Sequence, residues 1–486
     1  MSQMIIASGG LKRLIPLVLL CTIVVACGNA PPAAPQSIIQ TQVVVVTSAP
    51  QMVIQTVEVE KQVVVTPTPD AAAAAPAEKF QITFLNNCFP SAQAVNDLML
   101  AAFGATHPET DVKVDCASAT DDYAAGIFAK AAAGDLPDVI FSADLYTLPF
   151  VNGGVLLNLE DYSKLDKSFS FDDIYPNILA LGQVKDKPGV YMVPAALDSV
   201  QMYYNKTMFE KAGAALPKDN GTWDELITAC KTIQEKNPGV NCIANGGATG
   251  WDWWAYFIPW IVGYGGKPVT DDFKTSTFSS PASLAGIQAY VDLWTKHKVA
   301  IPLGSDIPGG NQACFESQKC AVFFHIPGFM KGFREKIKDF EWDIALTPAH
   351  PKGQFTGMGT YGYGITKDSK HPQAAWDLIK FLASPTGQRL LLTNYIGIPY
   401  LKSMASDPVY ERLSAPPANI KAFIKGGEIG IFPPNSYPAK CGSLYAGLIN
   451  ATIHNALEQS IRGKQTVEQA FQEADAQIQA CLDTAQ

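Results

Sequence analysis

From residue 80 onward, short runs in which apolar residues are concentrated or alternate with polar ones are separated by longer stretches with a helical pattern. Residues 80–85, 111–116 and 137–141 have the character of strands. Residues 92–106 and 121–133 have the period of amphipathic helices. Strands that alternate with helices of ten or more residues are typical of a mainly parallel sheet with crossover helices. The pattern therefore predicts an α/β fold.

Polar residues follow the first and third of these predicted strands. Asn86 and Asn87 come at the end of the first, and Ser142 and Asp144 come after the third. In open α/β sheets, ligands bind beyond the carboxyl ends of the strands. We therefore predict that these four residues lie on a ligand-facing rim.

The amino-terminal 78 residues have a different character from the rest of the chain. Lys12 and Arg13 precede an apolar run, 14–25, that is too short for a comfortable transmembrane helix, so residues 1–26 are predicted to be an export signal. The run ends at a VVAC sequence that resembles a bacterial lipobox. It predicts lipid modification of Cys27, with an ordinary signal-peptide end as the alternative. Residues 27–78 have no aromatic residue and are rich in Pro, Ala, Val, Thr and Gln, which predicts a disordered tether.

Length and charge limit what the remaining 79–486 can be. The segment is too long for one hydrophobic core and predicts two lobes. The net charge of −9 argues against a nucleic-acid partner, because phosphate binding requires an excess of Lys and Arg. We expect a monomer without a cofactor, held at the extracytoplasmic face of the cell membrane by its lipid anchor.

The body contains eight of the ten cysteines, and an even number in an exported protein favours disulfides. The sequence does not determine which of them pair. Nearness along the chain suggests Cys230 with Cys242 and Cys314 with Cys320, which leaves Cys88 with Cys116 and Cys441 with Cys481 as further candidate pairs. A metal site is the competing interpretation, but no CxxC or close Cys/His grouping supports it.

A tryptophan-rich segment at 250–260 carries the clearest candidate binding chemistry. It holds four of the chain's eight tryptophans, with Asp252 between Trp251 and Trp253. Indole faces stack on the C–H faces of sugars, and a carboxylate accepts hydrogen bonds from hydroxyl groups. The alternative is that these rings belong to the core. We expect Trp251, Asp252 and Trp253 to contact ligand and Trp254 and Trp260 to be core.

Nine short motifs follow one another along 79–486. They are GDLPDV (134–139), GGVLLNL (153–159), VP (193–194), YYNK (203–206), TWDEL (222–226), KCAVFF (319–324), AAWDLIKFL (374–382), TGQ (386–388) and GIP (397–399). Together they resemble the family 1 extracellular solute-binding proteins, which are sugar receptors of ABC importers similar to the maltose-binding type.

This resemblance implies a two-lobed periplasmic-binding-protein-like fold of type II, with the lobes joined by crossing hinge strands. Lobe 1 would comprise 79–195 and 349–396, and lobe 2 would comprise 196–348 and 397–486. The ligand would be enclosed in the cleft between them, and hinge closure would report its presence to an ABC permease.

The resemblance also implies sites for individual residues. Asp198 stands where the maltose-binding pattern has a sugar-binding acid, with a solvated turn as the alternative. Asp144 stands where the family contributes polar contacts, and Tyr146 nearby is either a stacking ring or a packing residue. Tyr361 is a candidate contact in a segment where relatives let the backbone approach ligand, or else it packs on a helix.

One further motif departs from the family pattern. Relatives have a turn with a stacking ring after the 319–324 strand, whereas this chain has His325 followed by an inverted Pro-Gly-Phe329 turn. His325 is a candidate donor to a ligand hydroxyl, or it is a structural histidine. Tyr395 and Tyr437 are further candidates for the cleft.

Three other functions compete with sugar capture. A carbohydrate hydrolase would use paired carboxylates such as Asp144 and Asp198, but the chain has no nucleophile, metal or phosphate-binding motif, so we expect no enzyme activity. A polyamine site would also use acids flanked by aromatic rings. An anion site requires Arg, which is scarce here.

Overall fold

The computed structural model describes residues 79–87, 93–117, 121–184, 187–244, 254–305, 307–432, 437–444 and 447–484. The predicted signal and tether, with Cys27, and the candidates Cys88, Trp251, Asp252 and Trp253 lie outside these ranges. The strands within them are β1 (Phe80–Asn87), β2 (Thr110–Ala117), β3 (Val139–Ala143), β4 (Val193–Pro194), β5 (Asp198–Ser199), β6 (Gln201–Asn205), β7 (Asn241–Ile243), β8 (Cys320–His325), β9 (Trp342–Ala345), β10 (Thr356–Gly359), β11 (Tyr361–Ile365) and β12 (Gly430–Ile431).

Helices alternate with strands over residues 80–152, as the apolar pattern predicts, whereas β4 to β6 and β9 to β11 follow one another without an intervening helix. The helices are α1 (Gln93–Thr106), α2 (Asp121–Ala133), α3 (Asp144–Asn152), α4 (Glu160–Leu165), α5 (Pro176–Leu179), α6 (Lys206–Ala212), α7 (Trp223–Lys236), α8 (Trp254–Gly263), α9 (Pro281–Thr295), α10 (Gly310–Glu316), α11 (Met330–Lys336), α12 (Pro372–Ala383), α13 (Pro385–Thr393), α14 (Ala422–Glu428), α15 (Gly447–Ile461) and α16 (Val467–Thr484). None of these described helices is long and apolar enough to cross a bilayer.

The first sheet has the strand order β2-β1-β3-β11-β4. Strands β1, β2 and β3 are parallel, whereas β11 is antiparallel to both β3 and β4. Every residue of β3 is buried, as expected for a central strand covered on both faces. The predicted α/β class is therefore correct, with one antiparallel strand inserted late in the chain.

The third strand begins two residues later than the sequence pattern predicts. Asp138 precedes β3, and its carboxylate accepts hydrogen bonds from Thr83, Ser369 and the backbone of Lys370. These bonds hold the pKa of Asp138 below its usual value although burial acts in the opposite direction. The carboxylate thus ties the start of β3 to β1 and to the loop after β11.

The second sheet has the order β7-β8-β6-β9, with β6 antiparallel to both neighbours. Helix α7 lies between β6 and β7 in the chain and begins with a complete capping box. In this box Thr222 and Glu225 each accept a hydrogen bond from the other's backbone amide. Asn205 caps α6, which ends at Gly213 in the left-handed region (φ 68°). Local sequence thus determines where these helices begin and end.

Short strands link the two sheets. β10 pairs with β5 in antiparallel register, Met358 opposite Ser199, and β12 lies on its other side. Nearby, the Leu197 amide donates to the Ile398 carbonyl at 2.9 Å. These pairings lie close to the expected lobe boundaries at 195/196 and 396/397. The lobe boundaries themselves remain a prediction.

Two disulfides follow the pairing suggested by nearness along the chain, and a third joins one of the further candidate pairs. The bonds are Cys230–Cys242, Cys314–Cys320 and Cys441–Cys481. Cys116 is also disulfide-bonded. Since Cys88 lies outside the described residues, its pairing with Cys116 stays a prediction.

Candidate functional site

The carboxyl edge of the first sheet is the first part of the candidate site. Asn86 ends β1 in a buried position, and Asp144 begins α3 directly after β3. The backbone of Asn87 and Asp144 is described, but their side chains are not. Ser142, predicted for the rim, is fully buried, and its hydroxyl lies 3.4 Å from that of Thr147, so it packs inside the lobe.

Strand β11 brings Tyr361 to this edge. Tyr361 lies opposite Ala143 because β11 runs antiparallel to β3, so the first residue of one strand meets the last of the other. The Tyr361 ring is partly buried and lies 5.5 Å from the Phe141 ring. Tyr361 is therefore beside the backbone of Asp144, although more than 200 residues separate them in sequence.

Asp198 lies at the start of β5, opposite Gly359 of β10, and is 9% exposed. Burial raises the pKa of Tyr361 and of Tyr203, and the negative charge of Asp198 raises both further. Asp198 is thus electrostatically coupled to a ring from each sheet. The solvated turn that was the alternative for this acid is wrong, since Asp198 is a buried strand residue.

Tyr203 also connects the region of Asp198 to the end of β8. The Tyr203 hydroxyl, on β6, donates to the Ile326 carbonyl at 2.8 Å. His325 precedes that carbonyl, and its ring centroid is 3.8 Å from Phe329 and 5.2 Å from Phe323. The inverted turn therefore brings an imidazole and a phenyl ring together, in place of the single stacking ring that the family resemblance implies.

A hydrogen bond to the imidazole of His325 determines which tautomer the neutral ring adopts. Its Nδ1 accepts a hydrogen bond from the Ile326 amide at 3.0 Å. In the neutral ring the proton then resides on Nε2, which becomes a hydrogen-bond donor. The role of His325 as a donor to a ligand hydroxyl stays a prediction.

The second half of the tryptophan-rich segment lies in α8, which begins at Trp254. Trp260 is in the core as expected, with its ring 4.4 Å from that of Trp223. Helix α8 lies directly on β10, since a Cβ on Gly357 would meet the Ala255 carbonyl oxygen at 2.3 Å. The helix that follows the predicted ligand contacts is therefore seated on the strands that join the two sheets.

Three tyrosines considered from the sequence have other surroundings. Tyr146 packs in the core against Tyr123 and Phe150. The guanidinium of Arg334 lies 3.9 Å from the centre of the Tyr395 ring. Tyr437 is buried and packs against Phe273.

Sequence reasoning missed Tyr203 and Tyr256. Tyr203 is fully buried, and the Tyr256 ring, on the first turn of α8, lies 6.3 Å from His325. The available signal was their place within the YYNK motif and within the tryptophan-rich segment. Within the described ranges, no group of three His, Cys, Asp or Glu side chains is arranged to hold a metal ion.

Known proteins resemble this chain in sequence and in fold. The sequence profile of the bacterial extracellular solute-binding proteins matches residues 90–389. A putative binding protein of Brucella abortus is 26% identical over 259 residues, which are 51% of this chain and 59% of that protein. The chain thus spans about three fifths of this curated relative.

Two solved structures are similar over most of the chain. The ABC substrate-binding protein Lmo0181 of Listeria monocytogenes, in complex with cycloalternan, has a TM-score of 0.70 at 21% identity and covers 83% of this chain and 99% of its own. UgpB of Mycobacterium tuberculosis, in complex with glycerophosphocholine, has a TM-score of 0.70 at 21% identity, with coverages of 84% and 99%. These likenesses establish the two-lobed type II fold, and the profile match establishes that the chain belongs to the bacterial extracellular solute-binding protein family.

Proposed function

We propose that this protein is the lipid-anchored extracytoplasmic receptor of an ABC importer and that it captures a sugar or short oligosaccharide in the cleft between its lobes. The observation that carries the proposal is the convergence of Asp198, Tyr361 and the His325 turn from three distant parts of the chain. The ligand is delivered unchanged to the permease.

The chemistry of these residues suits a polyhydroxylated ligand. A carboxylate such as Asp198 accepts hydrogen bonds from two hydroxyl groups, and charged hydrogen bonds contribute more than neutral ones. His325 supplies a donor at Nε2, and the rings of Tyr361 and Phe329 supply apolar faces. Trp251, Asp252 and Trp253 would add further stacking and hydrogen bonding from the second lobe.

A neutral ligand fits better than an anion. Glycerophosphocholine, which is bound by the Mycobacterium tuberculosis protein, carries a phosphodiester anion beside its quaternary ammonium group, and recognition of an anionic group would require basic groups in the cleft. Here Arg334 donates to carbonyl oxygens of Ser414 and Pro416, Arg389 pairs with Asp407, and Arg462 pairs with a glutamate one turn away on its own helix. Asp198 adds a negative charge at the cleft. Neutral sugars, like the cycloalternan of the Listeria protein, are therefore the favoured class.

The remaining parts of the proposal concern placement at the membrane. Cys27 carries the lipid anchor, residues 27–78 are the tether, and the lobes are 79–195 with 349–396 and 196–348 with 397–486. A tether of this composition allows the body to reach the permease without a fixed orientation. Closure of the lobes around ligand signals occupancy.

A binding panel tests the ligand class. The purified protein is screened by thermal shift against maltodextrins, monosaccharides, spermidine and glycerophosphodiesters, because a ligand of the native state raises the melting temperature. We expect a sugar to stabilise the protein and to be recovered intact. A response to spermidine alone would replace the ligand class, and consumption of the sugar would identify a hydrolase.

Variants of the rim then test the site. Asp198→Asn and Trp253→Ala are each expected to weaken sugar binding at least about tenfold, which corresponds to about 1.4 kcal/mol. Asp111→Asn, an exposed acid on β2, is the matched control and should bind normally. Normal affinity in the rim variants, at unchanged melting temperature, would remove these residues from the site.

A further inference from the structure

A buried histidine outside the cleft joins two helices to the linking strands. His350 lies in the connection between β9 and β10, is 6% exposed, and donates its amide to the Gly353 carbonyl at 2.8 Å. The centre of its ring is 5.0 Å from that of Trp260 and 5.9 Å from that of Trp223. Gly263 at the end of α8 leaves no space beside it, since a Cβ there would approach the histidine Cβ to 2.4 Å.

The tautomer of His350 follows from its tryptophan neighbour. The indole Nε1–H of Trp223 donates to His350 Nε2 at 3.0 Å. An indole nitrogen can only donate, so Nε2 must be unprotonated and the neutral ring must carry its proton on Nδ1. Burial lowers the pKa of His350 to about 4, which keeps the ring neutral at physiological pH.

The Nδ1–H group of His350 is buried and has no acceptor among the residues that the structure describes. Such a donor costs roughly 1–3 kcal/mol if it is left unsatisfied. The ring borders a cavity of about 30 Å³ that Thr347 and Thr356 also line. Since one water needs roughly 10–15 Å³, this volume accommodates about two.

The two threonines have their hydroxyl protons already committed. The Thr347 hydroxyl donates to the Phe355 carbonyl at 3.2 Å, and the Thr356 hydroxyl donates to the Val200 carbonyl. Each hydroxyl oxygen therefore retains a lone pair as an acceptor. The residues that line the cavity thus include one with an unmet donor and two with a free acceptor lone pair, which together are the complement of a water molecule.

We propose that this cavity is a built water site, in which one or two ordered waters accept from His350 Nδ1–H and donate to the hydroxyl oxygens of Thr347 and Thr356. The waters complete a polar joint between α7, α8 and β10. Buried waters of this kind typically make about three hydrogen bonds. These hydrogen bonds fix the position of α8 on β10. The proposal does not depend on whether the ligand is a sugar.

Histidine nitrogen spectroscopy on the full chain tests both parts of the proposal. The protein has six histidines, so selective ¹⁵N-histidine labelling gives few signals, and His350→Gln assigns the relevant one. We expect a protonated Nδ1 and an unprotonated Nε2 at pH 7, with a cross-peak from Nδ1–H to a long-lived water. A proton on Nε2, or a charged ring, would overturn the tautomer and with it the site.

Two variants separate the causes. Trp223→Phe removes the indole donor, so the His350 proton is expected to move toward Nε2. Thr347→Val removes one acceptor at nearly constant shape, so the water cross-peak should weaken while the tautomer persists. If a variant fails to fold, a crystal structure of the unmodified protein decides: water density within hydrogen-bond distance of Nδ1 supports the site, and a dry cavity overturns it.

Discussion

The stability of the protein is expected to depend on the protonation of His350. Burial lowers the pKa of this side chain from 6.5 to about 4. Between these values the unfolded chain binds a proton that the folded chain does not, so falling pH favours the unfolded state. The contribution of neutral His350 is therefore fully present above about pH 6.5 and is lost as the pH falls toward 4.

The magnitude follows from the size of the shift. A difference of about 2.5 pKa units corresponds to about 3.4 kcal/mol at 1.36 kcal/mol per unit, and roughly 2.5 kcal/mol of this is lost between about pH 7 and pH 4.5. That loss is a large fraction of the total stability of a typical domain.

Urea unfolding of the wild-type protein and of His350→Gln at these two pH values isolates the contribution of His350 to the free energy of unfolding. Glutamine can accept from Trp223 and donate toward the cavity, but it does not titrate. Other groups contribute equally in both proteins: His297 and His454 have lowered pKa values because of burial, and hydrogen bonds from Lys380 and Ser168 lower that of Asp166 against the opposing effect of burial. We expect the wild type to lose roughly 2.5 kcal/mol more than the variant. Equal losses in the two proteins would refute the assignment of a buried neutral imidazole.

Further predictions concern the frame around the site. Replacing both Cys441 and Cys481 by serine opens a loop with a sequence separation of 40 and should cost about 4 kcal/mol of unfolding free energy by chain entropy, measured by denaturation under oxidising conditions. Thr222→Ala removes the capping box of α7 and should cost about 1 kcal/mol in the same assay. Gly357→Ala places a methyl group against the backbone of α8 and should cost about 1–3 kcal/mol; an unchanged melting temperature would contradict the close contact.

Much of the candidate site was accessible from local pattern. Asn86 and Asp144 were expected at strand ends because the strands themselves were recognisable, and the disulfides Cys230–Cys242 and Cys314–Cys320 followed from short separations in sequence. Asp198 was expected from the family resemblance rather than from its own surroundings. Its burial, and its coupling to Tyr203, were not expected.

Misplaced residues had ambiguous local signals. Ser142 was expected on the rim because it follows the third predicted strand, yet it is fully buried. Helix α3 comes directly after β3 and provides Thr147 as its neighbour. Tyr146 was left between stacking and packing, and Tyr123 and Phe150 decide for packing. In each case the deciding contact comes from another element of the same lobe.

What the sequence determined by itself is the succession of elements and their class. Helix periods, capping residues and strand alternation depend on neighbours within a few positions, so they can be read along the chain. The tertiary structure alone decided that β11 enters the first sheet antiparallel and brings Tyr361 to Ala143, and that the charge of Asp198 on β5 acts on Tyr203. Strand order and register depend on contacts between residues far apart in sequence, and no local pattern contains that information.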